Sequence, residues 1–302
     1  MSLISELGGT GVALITPFKS NFEIDYPALG RVIDLVINNG VDYVVTLGTT
    51  GESPTLNKEE KKSIIKFTYE HVNGRVPVVV GIGGNNTADL IRDLETFPLD
   101  KSIAVLSASP YYSKPSQEGL YAHYKELAKA SPKPILLYNV PGRTGRNVNA
   151  STVLRLANEV PNIAGIKEAA GDMAQCIAIL KDRPEDFLVV SGDDALTFPQ
   201  LACGMDGVIS VIANCMPARF TEMVRLGLQE KCKEAKALND TMIEAYDLLF
   251  VENNPAGVKA FLAQMGVIEN VLRLPLVPLS DAISAKIKTY IARELKPSLQ
   301  TH

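Results

Sequence analysis

Short apolar runs rich in β-branched residues recur along the first two thirds of the chain. Most are continuously apolar rather than alternating, which is typical of strands buried on both faces of a parallel sheet. Eight such runs are present: "GVALITPF" (11–18), "YVVTLG" (43–48), "VPVVVGIG" (76–83), "SIAVLSASP" (102–110), "PILLYNVP" (134–141), "NIAGIKEA" (162–169), "FLVVSGDD" (187–194) and "GVISVIAN" (207–214). Between them lie stretches with helical periodicity. In residues 57–74, for example, Ile64, Ile65 and Val72 share one face.

Eight successive strand and helix units predict an α/β fold of the (β/α)8 type, a TIM barrel. A doubly wound open sheet is the alternative, but that fold usually has fewer strands and a clearer phosphate loop. After about residue 216 the strand-like runs stop and only helical patterns follow. We therefore expect residues 1–216 to form the barrel with the catalytic site. Residues 217–302 should form a C-terminal helical appendage docked on it.

Two helices of this appendage have clear boundaries in the sequence. Within residues 253–266, Asn254 is expected as the N-cap, Pro255 as the first helical residue and Gly266 as the stop. Residues 279–295 repeat apolar side chains at helical spacing and predict a second helix.

Composition narrows the classes of function. The 302 residues carry a formal net charge of −4 with both signs mixed, so no nucleic-acid-binding arm or polybasic membrane patch is expected. No apolar run approaches a membrane span and no signal peptide is recognisable, which favours a cytoplasmic protein. The four cysteines form no CxxC pair and have no histidine at ligand spacing, and "GIGGNN" (81–86) lacks the third glycine of a dinucleotide fingerprint. We expect neither a metal nor an organic cofactor.

Residues that carry chemistry follow the ends of the predicted strands. Catalytic residues of such barrels lie at the C-terminal strand ends, so these segments should meet at one mouth. The segments are "GTTGES" (48–53), "SPYYSKP" (109–115), "YNVPGRTG" (138–145), Lys167 at the end of the sixth run, and "SGDD" (191–194).

Lys167 lies in "IAGIKEAAG" (163–171), where the pattern points into a core. A buried lysine is costly as a charge and tends to lose its proton, and the neutral amine is a good nucleophile. The alternative is a lysine that extends to the surface or pairs with Glu168. The tyrosines, hydroxyls and arginine expected at the same mouth favour an amine that forms a Schiff base with a ketoacid, whose carboxylate suits the "GTTGE" turn.

Over nearly all of its length the chain resembles the superfamily of pyruvate-dependent lyases and synthases that includes dihydrodipicolinate synthase and N-acetylneuraminate lyase. The motifs that carry the resemblance are "GTTGES", "SPYYSKPSQEGLYAHY", "YNVPGRTG", "GIKEAAGD" and "SGDD". The resemblance implies that Lys167 forms the Schiff base, that Tyr138 is catalytic and that Thr49 links two tyrosines in a proton relay. It also implies that Tyr112 is a relay tyrosine donated across a subunit interface.

The resemblance further implies three substrate-binding residues, Thr50 at the pyruvate carboxylate together with Gly192 and Ile209. Arg143 of "PGRTG" resembles the arginine with which dihydrodipicolinate synthases hold the carboxylate of L-aspartate 4-semialdehyde, and sialic acid lyases typically lack it. The implied reaction condenses pyruvate with this aldehyde to give 4-hydroxy-tetrahydrodipicolinate, an early step of diaminopimelate and lysine synthesis. The implied assembly is a homo-oligomer, expected to be a tetramer built as a dimer of dimers.

Two alternative functions remain open from the sequence. One is an aldolase of the same superfamily that acts on a sugar acid or another ketoacid. The other is a non-catalytic protein that binds a ketoacid as a sensor or scaffold. The complete set of Lys167, Tyr138, Thr49 and Tyr112 argues against the second alternative, because a binding protein does not need a proton relay.

Regulation is a further expectation from the resemblance. Many members bind L-lysine at a dimer interface near the helix after "GTTGES" and the loop "GGNN", and Asn85 and Tyr111 match polar positions of that pocket. Lysine-sensitive members often have histidine or glutamate where this chain has Lys58 and Lys61. A like charge beside the incoming ammonium predicts weak or absent inhibition by L-lysine, unless both side chains point to solvent.

Overall fold

The structure is a computed structural model that describes residues 3–295. Eight parallel strands close into a barrel in chain order, with β8 paired to β1. The strands are β1 Gly9–Ala13, β2 Tyr43–Thr46, β3 Val78–Gly81, β4 Ala104–Ala108, β5 Ile135–Asn139, β6 Ile163–Glu168, β7 Leu188–Ser191 and β8 Gly207–Ser210. The predicted TIM barrel is confirmed, and the open-sheet alternative is wrong.

Helices lie between the strands and follow the last one. They are α1 Leu3–Leu7, α2 Tyr26–Asn38, α3 Lys58–Val72, α4 Thr87–Thr96, α5 Gln117–Ala130, α6 Pro141–Thr144, α7 Ala150–Glu159, α8 Met173–Asp182, α9 Thr197–Ala202, α10 Pro217–Leu228, α11 Cys232–Asp240, α12 Ile243–Phe250, α13 Ala256–Gln264 and α14 Asp281–Glu294. Within residues 3–295, no helix has the length and apolar character needed to cross a membrane.

The continuous apolar runs are explained by two buried layers. Val45 of β2 and Val190 of β7 belong to the layer inside the barrel. Their neighbours Val44 and Val189 point the other way, into the layer between strands and helices. Successive strand residues point to opposite faces, so a strand buried on both faces has no polar positions to alternate with.

Local signals also set helix ends. Asn57 accepts a hydrogen bond from the backbone N–H of Glu60, and the Glu60 carboxylate accepts one from the backbone N–H of Asn57. This capping box begins α3 at Lys58, close to where the sequence predicted it. The helix ends at Val72 before a left-handed Asn73.

In its described part the C-terminal region has five helices, α10 to α14, and no strand, and residues 265–280 between α13 and α14 are not helical. Helix α10 packs against β1 and β8, and α12 packs against the turns Asp194–Leu196 and Ile212–Asn214 that follow β7 and β8. Helix α13 also contacts the second of these turns. The C-terminal region therefore reaches the end of the barrel at which the strands finish. The division of the chain at residues 216 and 217 stays a prediction.

The predicted N-cap of α13 is wrong. The helix begins at Ala256 with Pro255 in the capping position and no side-chain cap. The Asn254 side chain instead donates from Nδ2 to the hydroxyl of Thr50, 3.1 Å away and 204 residues earlier. The Asn254 side chain that the local rule assigned to capping α13 is thus used in a tertiary contact with Thr50.

Candidate active site

Lys167 and Tyr138 face each other on adjacent strands near the C-terminal end of the barrel. They are register partners in the β5–β6 pair, and Lys167 Nζ lies 4.6 Å from the centre of the Tyr138 ring. Lys167 is 4% exposed and Tyr138 is 7% exposed. The amine is therefore enclosed and stands beside a phenol.

Glu168, the next residue, points to the opposite face of the strand. Its carboxylate accepts hydrogen bonds from Asn139 Nδ2 at 3.0 Å, from Gln175 Nε2 at 2.9 Å and from the backbone N–H of Ala170 at 2.7 Å. Burial raises the pKa of Glu168, and these donors oppose the rise. No ion pair joins it to Lys167, and none of the carboxylates in residues 3–295 lies at ion-pairing distance from the Lys167 amine.

A cavity of about 680 Å³ opens beside the Lys167 amine. Its wall includes Thr50, Tyr138, Arg143, Lys167, Gly192 and Asn254. A Cβ atom at position 192 would lie 2.9 Å from Cε of the lysine and 2.6 Å from Cβ of Ala169. Glycine at this position is therefore required by the close approach of Ala169, and it also leaves room for the lysine side chain.

The turn after β2 brings Thr49 and Thr50 to the mouth. It is a 3-10 turn in which Gly51 N–H donates to Gly48 O at 3.0 Å and Glu52 N–H donates to Thr49 O at 3.1 Å. Thr49 lines a neighbouring cavity of about 420 Å³, which Tyr138 and Arg143 also line. Thr49 and Thr50 thus line two different cavities, and Tyr138 and Arg143 line both.

Asn254 orients the hydroxyl of Thr50. Because Thr50 Oγ1 accepts a hydrogen bond from Asn254 Nδ2, its own O–H is free to donate into the cavity. The Asn254 Oδ1 atom is buried and has no hydrogen-bond partner among the described residues. The outcome is a hydroxyl donor suited to a carboxylate.

Arg143 lies in α6, which Gly145 ends in the left-handed conformation. Its NH2 group donates to the backbone oxygen of Asn254 at 3.3 Å, and its side chain lines both cavities. Across residues 3–295 it has no carboxylate partner. A guanidinium that is held in place by a neutral carbonyl remains available for two-point contact with a ligand carboxylate.

Two of the predicted site residues do not join this cluster. Ile209 is 1% exposed in β8 and packs in the inner apolar layer, outside the two cavities. Tyr112 is 91% exposed and also lies outside them. Its φ of 65° is the left-handed conformation, which is unfavourable for a tyrosine and is found most often where function requires it.

Asp194 holds the backbone of Val211, which lines the cavity, and Asn254 lines the cavity itself, although neither was predicted as a site residue. The buried Asp194 carboxylate accepts from the backbone N–H groups of Val211 at 3.0 Å and Ile212 at 2.8 Å, and so holds the chain just after Ile209. Burial raises the pKa of Asp194 to about 6. The "SGDD" motif pointed to the first of these residues, whereas no local pattern connects Asn254 to the mouth.

Fold and site together define a (β/α)8 barrel with a lysine-centred cavity at its C-terminal strand ends. A sequence profile of the dihydrodipicolinate synthetase family matches residues 6–294, and the chain belongs to this family.

Individual relatives agree with this assignment. The 4-hydroxy-tetrahydrodipicolinate synthase of Flavobacterium psychrophilum is 50% identical over 93% of this chain and 96% of its own length. The enzyme of the same name from Parabacteroides distasonis is 51% identical over 93% of this chain and 95% of its own. The crystal structure of dihydrodipicolinate synthase from Thermotoga maritima matches with a TM-score of 0.92 at 40% identity, covering 95% of this chain and 98% of that one. The resemblance seen in the sequence is confirmed, and with it the synthase class of enzyme.

Proposed function

We propose that this enzyme condenses pyruvate with L-aspartate 4-semialdehyde to give 4-hydroxy-tetrahydrodipicolinate, through a Schiff base on Lys167. The observation that carries the proposal is the enclosed Lys167 amine, which faces Tyr138 and lines a cavity together with Thr50 and Arg143, with no carboxylate partner in the described part of the chain. An amine that is not held in an ion pair is available to attack a ketone carbon.

The first half of the reaction forms the nucleophile. The Lys167 amine adds to the keto carbon of pyruvate, and loss of one water from the adduct replaces the carbon–oxygen double bond by a carbon–nitrogen double bond. The protonated imine withdraws electrons, so a methyl proton is lost and an enamine forms. Tyr138, beside the amine, is the group that carries protons to and from the departing oxygen, and Thr49 links it to a second tyrosine.

The carboxylates of the two substrates bind to different donors in the wall of the cavity. The Thr50 hydroxyl, whose proton is free, donates to the pyruvate carboxylate. Arg143 holds the carboxylate of the semialdehyde in two-point contact. Separate donors for the two carboxylates allow both substrates to occupy the cavity beside the Lys167 amine.

The second half of the reaction makes the carbon–carbon bond and releases the lysine. The enamine carbon attacks the aldehyde carbon, and the new alkoxide is protonated to the 4-hydroxyl group. The amino group of the former semialdehyde then attacks the imine carbon and displaces the Lys167 amine, which closes the ring. Counted over the whole cycle, one water is released and the lysine is regenerated.

Tyr112 is the second relay tyrosine in this proposal, supplied by a neighbouring subunit. Its 91% exposure and its position outside its own cavities support this role. The enzyme is then a dimer at minimum, and we propose a tetramer built as a dimer of dimers in the cytoplasm.

Product formation tests the proposed reaction. Purified enzyme with pyruvate and L-aspartate 4-semialdehyde should release 4-hydroxy-tetrahydrodipicolinate, identified by mass, and Lys167→Ala should release none. Product from a sugar-acid aldehyde but not from the semialdehyde would contradict the proposed substrate.

Subunit mixing tests the shared site. Tyr112→Phe and Lys167→Ala proteins should each be weak alone, and mixing with subunit exchange should restore activity, because a Lys167→Ala subunit can donate its intact Tyr112 to a Tyr112→Phe neighbour. No recovery in mixtures shown by native mass spectrometry to contain hybrids would contradict a relay across the interface. A fully active monomer would contradict it as well.

A further inference from the structure

Glu52 and Lys259 form an ion pair whose two side chains are both 0% exposed. Lys259 Nζ also donates to the backbone oxygen of Val271 at 2.9 Å and lies 4.2 Å from the centre of the Phe18 ring. The second Glu52 oxygen accepts from the backbone N–H of Arg273 at 3.2 Å. The pair is completely surrounded by protein, so neither charge is available to a ligand.

Glu52 is the residue that ends the turn of Thr49 and Thr50. Its φ of 54° is left-handed, a conformation in which a glutamate is strained. On its other side, the turn is held by Thr16 Oγ1, which donates to Gly51 O at 2.7 Å. The ion pair therefore fixes the exit of the turn, and with it the position of the two threonines.

Lys259 belongs to the same C-terminal segment as Asn254. This segment contacts the turn at two points, because Asn254 donates to Thr50 and Lys259 pairs with Glu52. The backbone oxygen of Asn254 also accepts from Arg143. Residues 254–259 thus connect the pyruvate side of the cavity to the side assigned to the semialdehyde.

We propose that Glu52 and Lys259 are positioning residues that set the Thr50 hydroxyl for the pyruvate carboxylate, an inference that rests on the proposed function. Neither side chain lines the cavity that contains the Lys167 amine, so both act through the turn. The physical basis is the cost of burying charges. A buried ion pair often contributes no net stability over an apolar pair of similar volume, whereas its directional contacts fix one geometry.

Variants of the pair distinguish an effect on stability from an effect on the position of the Thr50 hydroxyl. Lys259→Met leaves the Glu52 carboxylate buried without its partner and should lower the melting temperature. The double variant Glu52→Gln/Lys259→Met removes both charges and should recover a melting temperature near that of the wild type. Its dissociation constant for pyruvate, measured by calorimetry, should nevertheless remain raised roughly tenfold, the scale of losing a well-placed hydrogen bond to a charged group.

A second ion pair provides the control. Arg183 pairs with Asp206 just before β8, at the opposite end of the barrel. The matched double variant Arg183→Met/Asp206→Asn should leave the pyruvate dissociation constant unchanged whatever it does to the melting temperature. Glu52→Gln alone is the second variant: it keeps the shape of the side chain but leaves the Lys259 ammonium without a counter-charge, so both its melting temperature and its pyruvate affinity should be lower.

The outcomes separate this inference from the proposed function. If the Glu52→Gln/Lys259→Met double variant recovers both the melting temperature and the pyruvate affinity, or if Glu52→Gln binds pyruvate like the wild type, the positioning role is refuted. Pyruvate binding does not require condensation, so wild-type protein that binds pyruvate without making product contradicts the proposed function and leaves this test valid. Wild-type protein that does not bind pyruvate would overturn both.

Discussion

Within its described residues the protein buries two lysines, Lys167 and Lys259, in different surroundings, and they serve different roles. Lys167 at the end of β6 is 4% exposed and lines a cavity, with a tyrosine ring beside it and no carboxylate partner in residues 3–295. Lys259 in α13 is 0% exposed and is enclosed by Glu52, a backbone oxygen and the Phe18 ring. Similar burial thus leads to an available amine in one place and a fixed cation in the other.

The partner, not the burial, makes the difference. Burial lowers the pKa of Lys259 to about 8, and the charge of Glu52 opposes that fall. Lys259 is kept charged by the Glu52 carboxylate, whose one other hydrogen bond within residues 3–295 is accepted from the backbone N–H of Arg273. Beside the Lys167 amine the nearest carboxylate along the chain, Glu168, is turned to the opposite face of the strand and satisfied there. The strand alternation that separates these two residues leaves the Lys167 amine without an ion-pair partner.

The largest effects are expected from replacing the two lysines, and the two replacements should affect different properties. Lys167→Ala should reduce turnover by roughly 10⁴–10⁶, the scale of removing a covalent nucleophile, with little change in the free energy of unfolding. Lys259→Ala should lower that free energy by about 3–5 kcal/mol, because it leaves a buried carboxylate unpaired. Denaturant unfolding and steady-state kinetics on both variants measure the two effects. A Lys167→Ala variant that turns over at the wild-type rate would contradict the role of Lys167 as the nucleophile.

Tyr138→Phe tests whether the hydroxyl beside the Lys167 amine transfers protons. The ring that packs near the amine is kept and only the hydroxyl is lost, so the fold should be retained while turnover falls by roughly 10²–10⁴. Tyr121→Phe, on α5 with its hydroxyl bonded to Glu159, is the matched control and should turn over like the wild type. A Tyr138→Phe rate close to the wild-type rate would remove this phenol from the relay.

Arg143→Ala should affect the second substrate rather than the first. Loss of a charge-assisted contact with a carboxylate corresponds to about 1.5–3 kcal/mol, or roughly tenfold to a hundredfold in KM for the semialdehyde. Imine formation with pyruvate should change little. Arg146→Ala, three residues away with its guanidinium on the backbone oxygen of Lys114, is the control. Equal damage to pyruvate binding would contradict the assignment of Arg143.

The smallest effect is expected from L-lysine. Lys58 is paired with Asp93 at 2.6 Å, whereas Lys61 lines a cavity with Tyr111, and desolvation lowers its pKa. An ammonium at this position disfavours a second one, so millimolar L-lysine should inhibit weakly or not at all. Lys61→His should increase the sensitivity, and Lys66→His on the exposed face of α3 should not. Strong inhibition of the wild type at submillimolar concentrations would show that the interpretation is wrong.

The amino-acid sequence is sufficient to predict the barrel and much of its mouth. Continuous apolar runs identify strands buried on both faces, and the residues that follow such strands must lie at one end of the barrel. The order of the runs along the chain therefore predicts that Lys167, Tyr138 and the turn of Thr49 and Thr50 lie together. The register of β5 and β6 adds the distance between lysine and tyrosine, which a pattern cannot give.

The contacts that the sequence could not predict join segments about 200 residues apart. Asn254 looked like a helix cap because the local rule for Asn-Pro is strong, yet its amide is on Thr50. Lys259 is the one charged residue of α13, and its partner is in the turn after β2. Local propensity does not contain information of this kind, because only closure of the barrel and docking of α13 bring the groups together.

The most direct test of the account is to trap the imine. Wild-type enzyme is incubated with pyruvate and sodium borohydride, digested, and mapped by mass spectrometry. The peptide containing Lys167 should carry the reduced pyruvyl group, and the peptide containing Lys259 should be unmodified although that lysine is also buried. An adduct on Lys259 or on another lysine, with Lys167 unmodified, would contradict the central claim.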